Sequence, residues 1–443
     1  MSIVHWNSPP TNASVPVGPQ ALADALPALP DSFASSLTLS AAAQSQASAG
    51  TSVRSAAGAL PSDWQGHLPG PLRMGAIMVQ GLFARAWSDV RGLFSHGQVE
   101  AKPAPANPAE RARAALQALE NNLGGPAGTF GNSVKARWRP TSVWPQGQAI
   151  AGALDVAAVT GDYRPATSAI AALSLYRQGQ AYAPDIAYGP GQDRYYDDNE
   201  WLGLDLVQAY NQTGNQAYLD RAQGVFDFLQ GGQTPSGGMH WVENSRTPSR
   251  NTCSNGPAIE LALRLYQATH DDKYLEFAKK TDAFLQSTLR SSSGLFYDSI
   301  GDDGTMHREI WSYNQGTPIG ADVLFYQVTG DETYLDRARQ TADAALTYLG
   351  QDDRLWKQPP AFNAIFFRNL LQLDRVAPEP RYRQALDTYL GRVWTQARDP
   401  RTGLFDQGGI GHYGTPGNPL DQGAITQLFA LEAMTPAQLS RVS

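Results

Sequence analysis

The chain has 443 residues, of which 42% are hydrophobic and 17% charged, and its formal net charge at pH 7 is −7. Because neither Lys nor Arg forms a run, the basic surface of a nucleic-acid-binding protein is not expected, and we predict no nucleic-acid partner. The single cysteine, Cys253, rules out an intramolecular disulfide, and the histidines show no zinc-binding spacing, so we predict no metal ion and no cofactor.

Residues 1–108 form a predicted leader that is rich in Ala, Ser, Pro and Gln and shows no sustained periodicity. Such a composition predicts disorder. The exception is one amphipathic helix at about residues 71–95, where Leu72, Val79 and Phe83 recur at helical spacing. We expect this helix to dock on the main domain, and contact with a membrane surface or a chaperone is the alternative.

Beyond the leader the sequence contains an internal repeat. The segments TGDYRPATSAI, TGNQAYLDRAQGVFDFL, THDDKYLEFAKKTDAFL and TGDETYLDRARQTADAAL share a turn followed by a helix start, with Tyr163, Tyr218, Tyr274 and Tyr334 in register. A fifth, weaker copy surrounds Tyr382. Spacings of about 50 to 60 residues fit a unit made of two helices and one long loop.

Each repeat predicts a pair of helices of different character. A helix with few charges leads into a short turn, and an amphipathic helix follows, which is typical of an inner and an outer layer. The predicted inner helices begin near Pro145, Asp197, Ser254, Asn314, Asn363 and Gln422, and residues 109–122 supply the outer helix before the first. Six helical hairpins close a ring, so we predict an all-α (α/α)6 toroid over residues 109–443, with any β-structure confined to loop hairpins.

The connectivity of such a ring predicts one cleft, because every long loop ends at the start of an inner helix. The polar and aromatic residues at these ends are candidate carbohydrate ligands, namely Trp144, Gln148, Tyr196, Trp201, Trp241, Asn251, Asn255, Tyr313, Asn314, Gln315, Phe362 and Arg368. Core packing is the alternative for the aromatic rings, and helix capping is the alternative for the asparagines. Arg368 either holds the nucleophile or pairs with an acid in the core.

The motif YYDDNEW contains the candidate catalytic pair, Asp197 and Asp198. Glycoside hydrolysis needs two carboxyl groups that flank the scissile bond. At a helix start both carboxylates can face a cavity, and repulsion between them raises one pKa toward the range of a general acid. The alternative is structural, since Asp197 and Glu200 have the spacing of a capping box.

Other acid pairs and Cys253 have simpler interpretations. Asp271–Asp272 and Asp352–Asp353 are predicted caps in turns or at the starts of outer helices, and Asp302–Asp303 is the predicted tip of a hairpin. Cys253 has no nearby His in the sequence, so we expect a small buried hydrophobic residue rather than a nucleophile.

Four segments resemble the motifs of one enzyme family. YYDDNEWLGLDLVQAY, GGMHWVENSRTPSRNTCSNGPAIELALRLY, WSYNQGTPIGADVLFYQVTGDETYLDRA and FNAIFFRNL are similar to blocks of glycoside hydrolase family 76, the endo-α-1,6-mannanases, over roughly residues 110–435. The resemblance implies a retaining mechanism on α-1,6-linked mannan, with Asp197 as nucleophile and Asp198 as acid/base. It also implies that Trp241, Asn251, Tyr313, Asn314, Gln315 and Arg368 line subsites.

The leader departs from this family, whose members usually carry a signal peptide. It lacks the regions of a cleaved signal peptide, and the chain has no apolar run long enough for stable membrane insertion. With one Arg and no Lys before Arg73, the leader resembles those of bacterial type III effectors. We therefore expect secretion without a cleaved signal peptide, with a cytoplasmic location as the alternative.

The sequence allows four functional hypotheses. Other helical-ring enzymes, such as sugar epimerases or unsaturated glucuronyl hydrolases, tend to rely on His or on a differently spaced acid, and no inner helix is predicted to start with His. Three hypotheses are favoured over that one. The first is a monomeric glycoside hydrolase whose partners are a polysaccharide or oligosaccharide substrate and a secretion chaperone on the leader. The second is a transglycosylase with the same site, which transfers a glycan to an acceptor sugar. The third is a non-catalytic carbohydrate-binding effector domain, which has no need of two repelling carboxylates.

Overall fold

The computed structural model describes residues 107–186, 192–246, 248–407 and 417–442. The helix predicted at residues 71–95 and all but the last residues of the predicted leader lie outside the described residues. Within the described part of the chain, no helix is both long enough and apolar enough to cross a bilayer.

The described residues form two layers of helices. The inner layer contains α2 Val143–Thr160, α4 Tyr196–Thr213, α6 Thr252–Thr269, α8 Ser312–Thr329, α11 Pro360–Val376 and α13 Pro419–Ala433. The outer layer contains α1 Pro108–Leu123, α3 Arg164–Ala171, α5 Gln216–Leu229, α7 Asp272–Phe284, α9 Glu332–Leu349 and α12 Pro380–Arg392. Two short helices, α10 Arg354–Lys357 and α14 Pro436–Leu439, complete the order.

The inner helices close a ring. Each packs against the next along the chain, and α13 packs against both α2 and the outer helix α1. An inner helix such as α6 is buried almost all round, whereas its outer partner α7 buries one face only. The predicted all-α (α/α)6 toroid is confirmed, and the sorting of helices by charge placed them in the correct layers.

The repeated TG(D/N) signature is the turn between an inner and an outer helix. In α8, the hydroxyl of Thr329 donates to a carbonyl one turn back, and Gly330 ends the helix at φ 72°, in the left-handed region that favours glycine. Asp331 then caps α9 by accepting the backbone N–H of Thr333. Gly161 and Gly214 end α2 and α4 in the same way.

The small strands lie in the loops, as expected. One hairpin pairs β1 Arg177–Gln178 with β2 Ala181–Tyr182, and a three-stranded antiparallel sheet has the order β3 Ser249–Asn251, β4 Ser299–Gly301, β5 Met306–His307. In its register Arg250 faces Ile300, and Ile300 faces Met306. Asp302–Asp303 forms the tip between β4 and β5, which confirms the prediction for that acid pair.

A buried amide holds each loop to the inner helix that follows it. The fourth residue of every inner helix is Asn or Gln, in the order Gln146, Asn199, Asn255, Gln315, Asn363 and Gln422. Five of these amides accept a backbone N–H, from Phe130, Tyr182, Met239, Phe296 and Phe405 respectively. Asn363 instead donates to the carbonyl of Leu355. We call this contact the amide clamp.

The residues held by the clamp share a further feature. Each of the five N–H donors is a buried hydrophobic residue that is also bridged, in antiparallel fashion, to the end of the preceding outer helix or its hairpin. The clamp therefore joins three parts of a repeat: an outer helix, the loop after it and the next inner helix. Because the backbone groups involved are buried, losing the amide leaves them without partners.

The clamp predicts a large stability loss for Gln315→Leu. The Gln315 amide accepts from Phe296 N and donates to the carbonyls of Phe296 and Trp311, so the variant removes the partner of two buried backbone groups and of one partly buried carbonyl. We expect a loss of roughly 3–5 kcal/mol in the free energy of unfolding, measured by denaturant titration. Gln327→Leu, at an exposed position of the same helix, is the control and should change it by less than about 0.5 kcal/mol. Equal losses in both variants would contradict the role of the clamp.

Candidate active site

The start of α4 presents the acid pair. Tyr195 is the extended N-cap, and Asp197 and Asp198 are the second and third residues of the helix. Tyr195 bridges to Val242, and the backbone N–H of Tyr196 donates to the carbonyl of Trp241, so the loop before α6 is fixed beside the acids. Both carboxylates are half-buried, which places them in a cleft rather than in the core.

Asp197 receives three hydrogen bonds. Trp241 Nε1 donates to its Oδ2 at 3.0 Å, Cys253 Sγ lies 3.5 Å from the same oxygen, and the backbone N–H of Asp198 donates to Oδ1 at 3.0 Å. Burial raises the pKa of Asp197 to about 6, and these donors oppose the rise because they stabilise the anion. Asp197 can therefore ionise near neutral pH.

Asp198 has a different environment. Within the described residues no group donates to its carboxylate, while burial and then the charge of Asp197 raise its pKa well above the usual range. Of two coupled neighbours, Asp197 is thus the anion and Asp198 the group that keeps its proton. Carboxyl groups whose environments separate their pKa values in this way are typical of acid/base chemistry.

Glu200 does not form the capping box with Asp197. Asp197 lies inside the helix rather than at the N-cap, and both Glu200 oxygens are buried without a hydrogen-bond partner in the described part of the chain. The pKa of Glu200 is raised well above its usual range, mainly by burial and to a lesser extent by the charges of Asp197 and Asp198. The capping alternative is therefore wrong, and a third, neutral carboxyl group lies behind the acid pair.

Aromatic rings from different repeats lie together at the ring mouth. Tyr313 stacks on Phe362 with ring centroids 3.8 Å apart and planes at 8°, and Phe362 stacks on Trp144 at 6.3 Å. On the other side of the acids, Tyr195 meets Trp241 edge to face at 5.2 Å. The structure therefore brings together four predicted aromatic residues, Trp144, Trp241, Tyr313 and Phe362, on the elements that surround Asp197.

Below the mouth, four predicted residues line a small cavity: Trp144, Gln148, Trp201 and Arg368. Its volume is about 30 Å³, room for one or two waters and too little for a sugar. Gln148 donates to Gln427, and Arg368 pairs with Asp155 at 3.5 Å.

Arg368 also donates to Gln208 Oε1 at 3.0 Å. Of the two roles open from the sequence, the structure thus gives Arg368 the one of pairing with a core acid.

Three of the residues predicted to bind carbohydrate instead make contacts that hold the fold together. Tyr196 is buried and stacks on Phe228 of α5 at 4.8 Å. Asn255 and Gln315 belong to the amide clamp, and their amides bind loop backbone on both the oxygen and the nitrogen. All three are at the first or fourth position of an inner helix, and these positions face the outer layer.

Asn251 and Asn314 make side-chain contacts of a different kind. Asn251 is the half-buried N-cap of α6 and accepts from Ser249 Oγ at 2.7 Å. Asn314 is fully buried and donates to Asp298 Oδ1 at 3.0 Å.

One residue of the site was missed by the sequence analysis. Asp298 is a half-buried acid on the loop before α8, and burial raises its pKa to about 6. It interacts electrostatically with Cys253, so it belongs to the same cluster as Asp197. Tyr195, the first residue of the motif YYDDNEW, belongs to the same site, because burial and then the charges of Asp198 and Asp197 raise the pKa of its hydroxyl. A lone acid in a loop leaves no signal in the sequence.

Within the described residues, no three His, Cys, Asp or Glu side chains are grouped to hold a metal ion. What the fold presents is a ring of helical hairpins with two unequal carboxyl groups and stacked aromatic rings at its mouth. That combination defines a carbohydrate-active class of protein that works through paired carboxyl groups.

The family follows from comparison. The sequence model of Glycosyl hydrolase family 76 matches residues 109–441, and the chain belongs to this family. Mannan endo-1,6-alpha-mannosidases of Candida glabrata and Saccharomyces cerevisiae are 25% and 27% identical to it, over 44% and 42% of this chain and 49% and 47% of theirs. The chain thus spans about half the length of these curated relatives.

Solved structures show the same fold. A family 76 glycoside hydrolase from a bovine Bacteroides thetaiotaomicron strain is 26% identical, with a TM-score of 0.66 over 74% of this chain and 78% of that chain. An α-1,6-mannanase of Salegentibacter sp. HEL1_6, as an inactive variant changed at two aspartates and bound to α-1,6-mannotriose, is 24% identical with a TM-score of 0.62. It covers 74% of this chain and 99% of its own.

The electrostatics predict that Asp198→Asn stabilises the protein at neutral pH. Since the folded pKa of Asp198 is raised above its unfolded value, its contribution to the free energy of unfolding is present at about pH 4 and is lost as the pH rises through the folded pKa. The Asn side chain does not ionise, so the variant does not lose this stability as the pH rises. We expect its melting temperature to match wild type at about pH 4 and to exceed it at about pH 8 by roughly 2–4 °C or more, measured by calorimetry.

The control for that experiment is Asp220→Asn, which removes one negative charge from an exposed position of α5. A stabilisation by Asp198→Asn that is the same at both pH values would mean that ionisation of the acid pair is not its cause.

Proposed function

We propose that the protein is a retaining glycoside hydrolase that cleaves α-1,6-linked mannan-type polysaccharide within the chain. Asp197 is the nucleophile and Asp198 the acid/base in this proposal. The observation that carries it is the unequal hydrogen bonding of the two acids, with three donors on Asp197 and none from the described residues on Asp198. The names of the yeast relatives and the mannotriose bound to the Salegentibacter protein support the choice of substrate.

The two carboxyl groups suit a double displacement. In the first step the protonated Asp198 gives its proton to the leaving glycosidic oxygen while Asp197 attacks the anomeric carbon, which forms a glycosyl ester. In the second step the Asp198 carboxylate takes a proton from water, the water oxygen attacks the same carbon, and the ester bond to Asp197 breaks. Two inversions retain the α-configuration, and both carboxyl groups return to their starting states.

Other residues at the mouth suit the binding of neutral sugars. The flat rings of Tyr313, Trp144 and Trp241 offer stacking surfaces for sugar rings. Asp298 can accept two sugar hydroxyls, because only one of its oxygens receives the Asn314 amide. Every step uses groups of this chain alone, so the proposal needs no cofactor.

Alanine at either acid tests the proposal. On linear α-1,6-mannan, we expect Asp197→Ala and Asp198→Ala each to lower kcat/KM by on the order of 10³-fold or more, because each removes a group that acts on the reacting bonds. Asp272→Ala, in an acid pair at the start of an outer helix, is the matched control and should keep its activity. Full activity in either active-site variant would overturn the assignment.

Product analysis distinguishes the proposed hydrolase from its alternatives. Proton NMR of the first products should show the α-anomer, and azide should rescue Asp197→Ala with formation of a β-glycosyl azide. If added acceptor sugars are extended instead, the same site acts as a transglycosylase. Binding of mannan oligosaccharides without any turnover would favour the carbohydrate-binding effector domain.

We also propose that residues 1–108 direct secretion through a type III apparatus. The support is compositional: the segment is rich in Ser and Ala, with one Arg and no Lys before Arg73. A fusion of residues 1–108 to a reporter enzyme should be found in the medium of a type III-competent strain and should remain in the cells of a strain that lacks the apparatus. Retention of the fusion in both strains would remove the proposal.

A further inference from the structure

We propose that Cys253 is a positioning residue for the nucleophile Asp197. The Cys253 thiol donates a hydrogen bond to the Asp197 carboxylate, and the Tyr313 hydroxyl orients the thiol. The inference rests on the proposed function of Asp197. It assigns a chemical role to the only cysteine of the chain, which the sequence had suggested was a small hydrophobic residue.

The contacts form a chain across three inner helices. Asp197, Cys253 and Tyr313 are each the second residue of their helix, on α4, α6 and α8 in turn. Cys253 Sγ lies 3.5 Å from Asp197 Oδ2, and the Tyr313 side chain hydrogen-bonds to the thiol. Successive repeats thus place equivalent residues next to one another at the ring mouth.

The thiol cannot move away from this position. Cys253 is 3% exposed, and the residue before it is anchored twice, through its backbone N–H to Asp298 O at 2.8 Å and through its hydroxyl to Tyr297 O at 2.6 Å. Burial and the charge of Asp197 raise the pKa of Cys253 well above its usual range. The Cys253 side chain is therefore a neutral thiol, which can donate a hydrogen bond to Asp197 and does not act as a second nucleophilic anion.

The charged surroundings make each donor important. The groups that face Asp197 and Cys253 are Asp198 and Glu200 on α4, Tyr195 on the loop before it, Asp298 on the loop before α8 and Tyr313 on α8. All are acids or phenols, so hydrogen-bond donors rather than a cation stabilise the Asp197 anion. Trp241 is a strong donor to Oδ2, and the thiol is a weak one. A weak second donor supports ionisation while it leaves the carboxylate reactive.

The first experiment needs no turnover. Because the chain has one cysteine, its infrared S–H stretching band belongs to Cys253 alone and lies apart from other protein bands. We expect the band of the full-length wild type to move to lower frequency as Asp197 ionises, with a midpoint near pH 6. Asp197→Asn should abolish this pH dependence, and Tyr313→Phe should change the band position. A band that does not respond to pH or to Asp197→Asn would overturn the inference.

The second experiment measures the acid limb of kcat/KM against pH, which reports ionisation of the free enzyme's nucleophile. Cys253→Ala removes a donor, so the limb should move to higher pH by roughly half to one unit. Cys253→Ser keeps a hydroxyl donor and should restore the wild-type limb or move it to lower pH. Ser254→Ala, at a neighbouring buried hydroxyl without a partner in the described residues, is the matched control and should leave the limb in place.

The outcomes separate the two proposals. An active enzyme whose acid limb is the same in wild type, Cys253→Ala and Cys253→Ser contradicts the role of the thiol and leaves the hydrolase proposal intact. A wild type that does not cleave mannan contradicts the proposed function, and the infrared titration then still decides whether Cys253 donates to Asp197. If Cys253→Ala fails to fold, the serine variant and the wild-type spectrum carry the test.

Discussion

The amide clamp at the fourth position of each inner helix is the constraint from which the rest of the structure follows. An α-helix turns about 100° per residue, so positions two apart point to nearly opposite sides. Once the fourth residue faces the loop of the outer layer, the second residue must face the ring. Asn199 and Asp197 on α4 show this division directly: the amide binds Tyr182 in the preceding loop, and the carboxylate meets groups of the neighbouring repeat. One buried hydrogen-bond contact therefore sets the rotation of every inner helix.

The same constraint explains why the chemistry lies between repeats. With all six inner helices in a common rotation, their second residues meet at one level of the ring, and Asp197, Cys253 and Tyr313 become neighbours although they are far apart in the chain. Deeper positions of the inner helices line the small cavity, and Arg368 on its wall binds Asp155 and Gln208. A repeat fold whose units carry different side chains at equivalent positions can thus build a site that no single unit contains.

The sequence predicted the fold well because its signals are local. The TG(D/N) turn combines a left-handed glycine with an N-cap, and the difference in charge between helices sets the layers. The site was predicted only in part, because the expected starts of the inner helices fell one to three residues after the true ones. An error of one residue rotates a side chain by about 100°, which is why Tyr196, Asn255 and Gln315 were expected in the cleft. Asp298 reaches the site through a loop, and no periodicity describes a loop.

The helix N-terminus alone does not explain the division of labour between the two acids. Asp197 and Asp198 share the first turn of α4, so the helix dipole favours the anion of both. The difference arises outside the helix, since Trp241 belongs to the loop before α6 and Cys253 to α6 itself. Two adjacent acids in an isolated hairpin would be nearly equivalent. They become a nucleophile and an acid only when the next repeat docks, so the contact between these two repeats is itself a condition for the proposed catalysis.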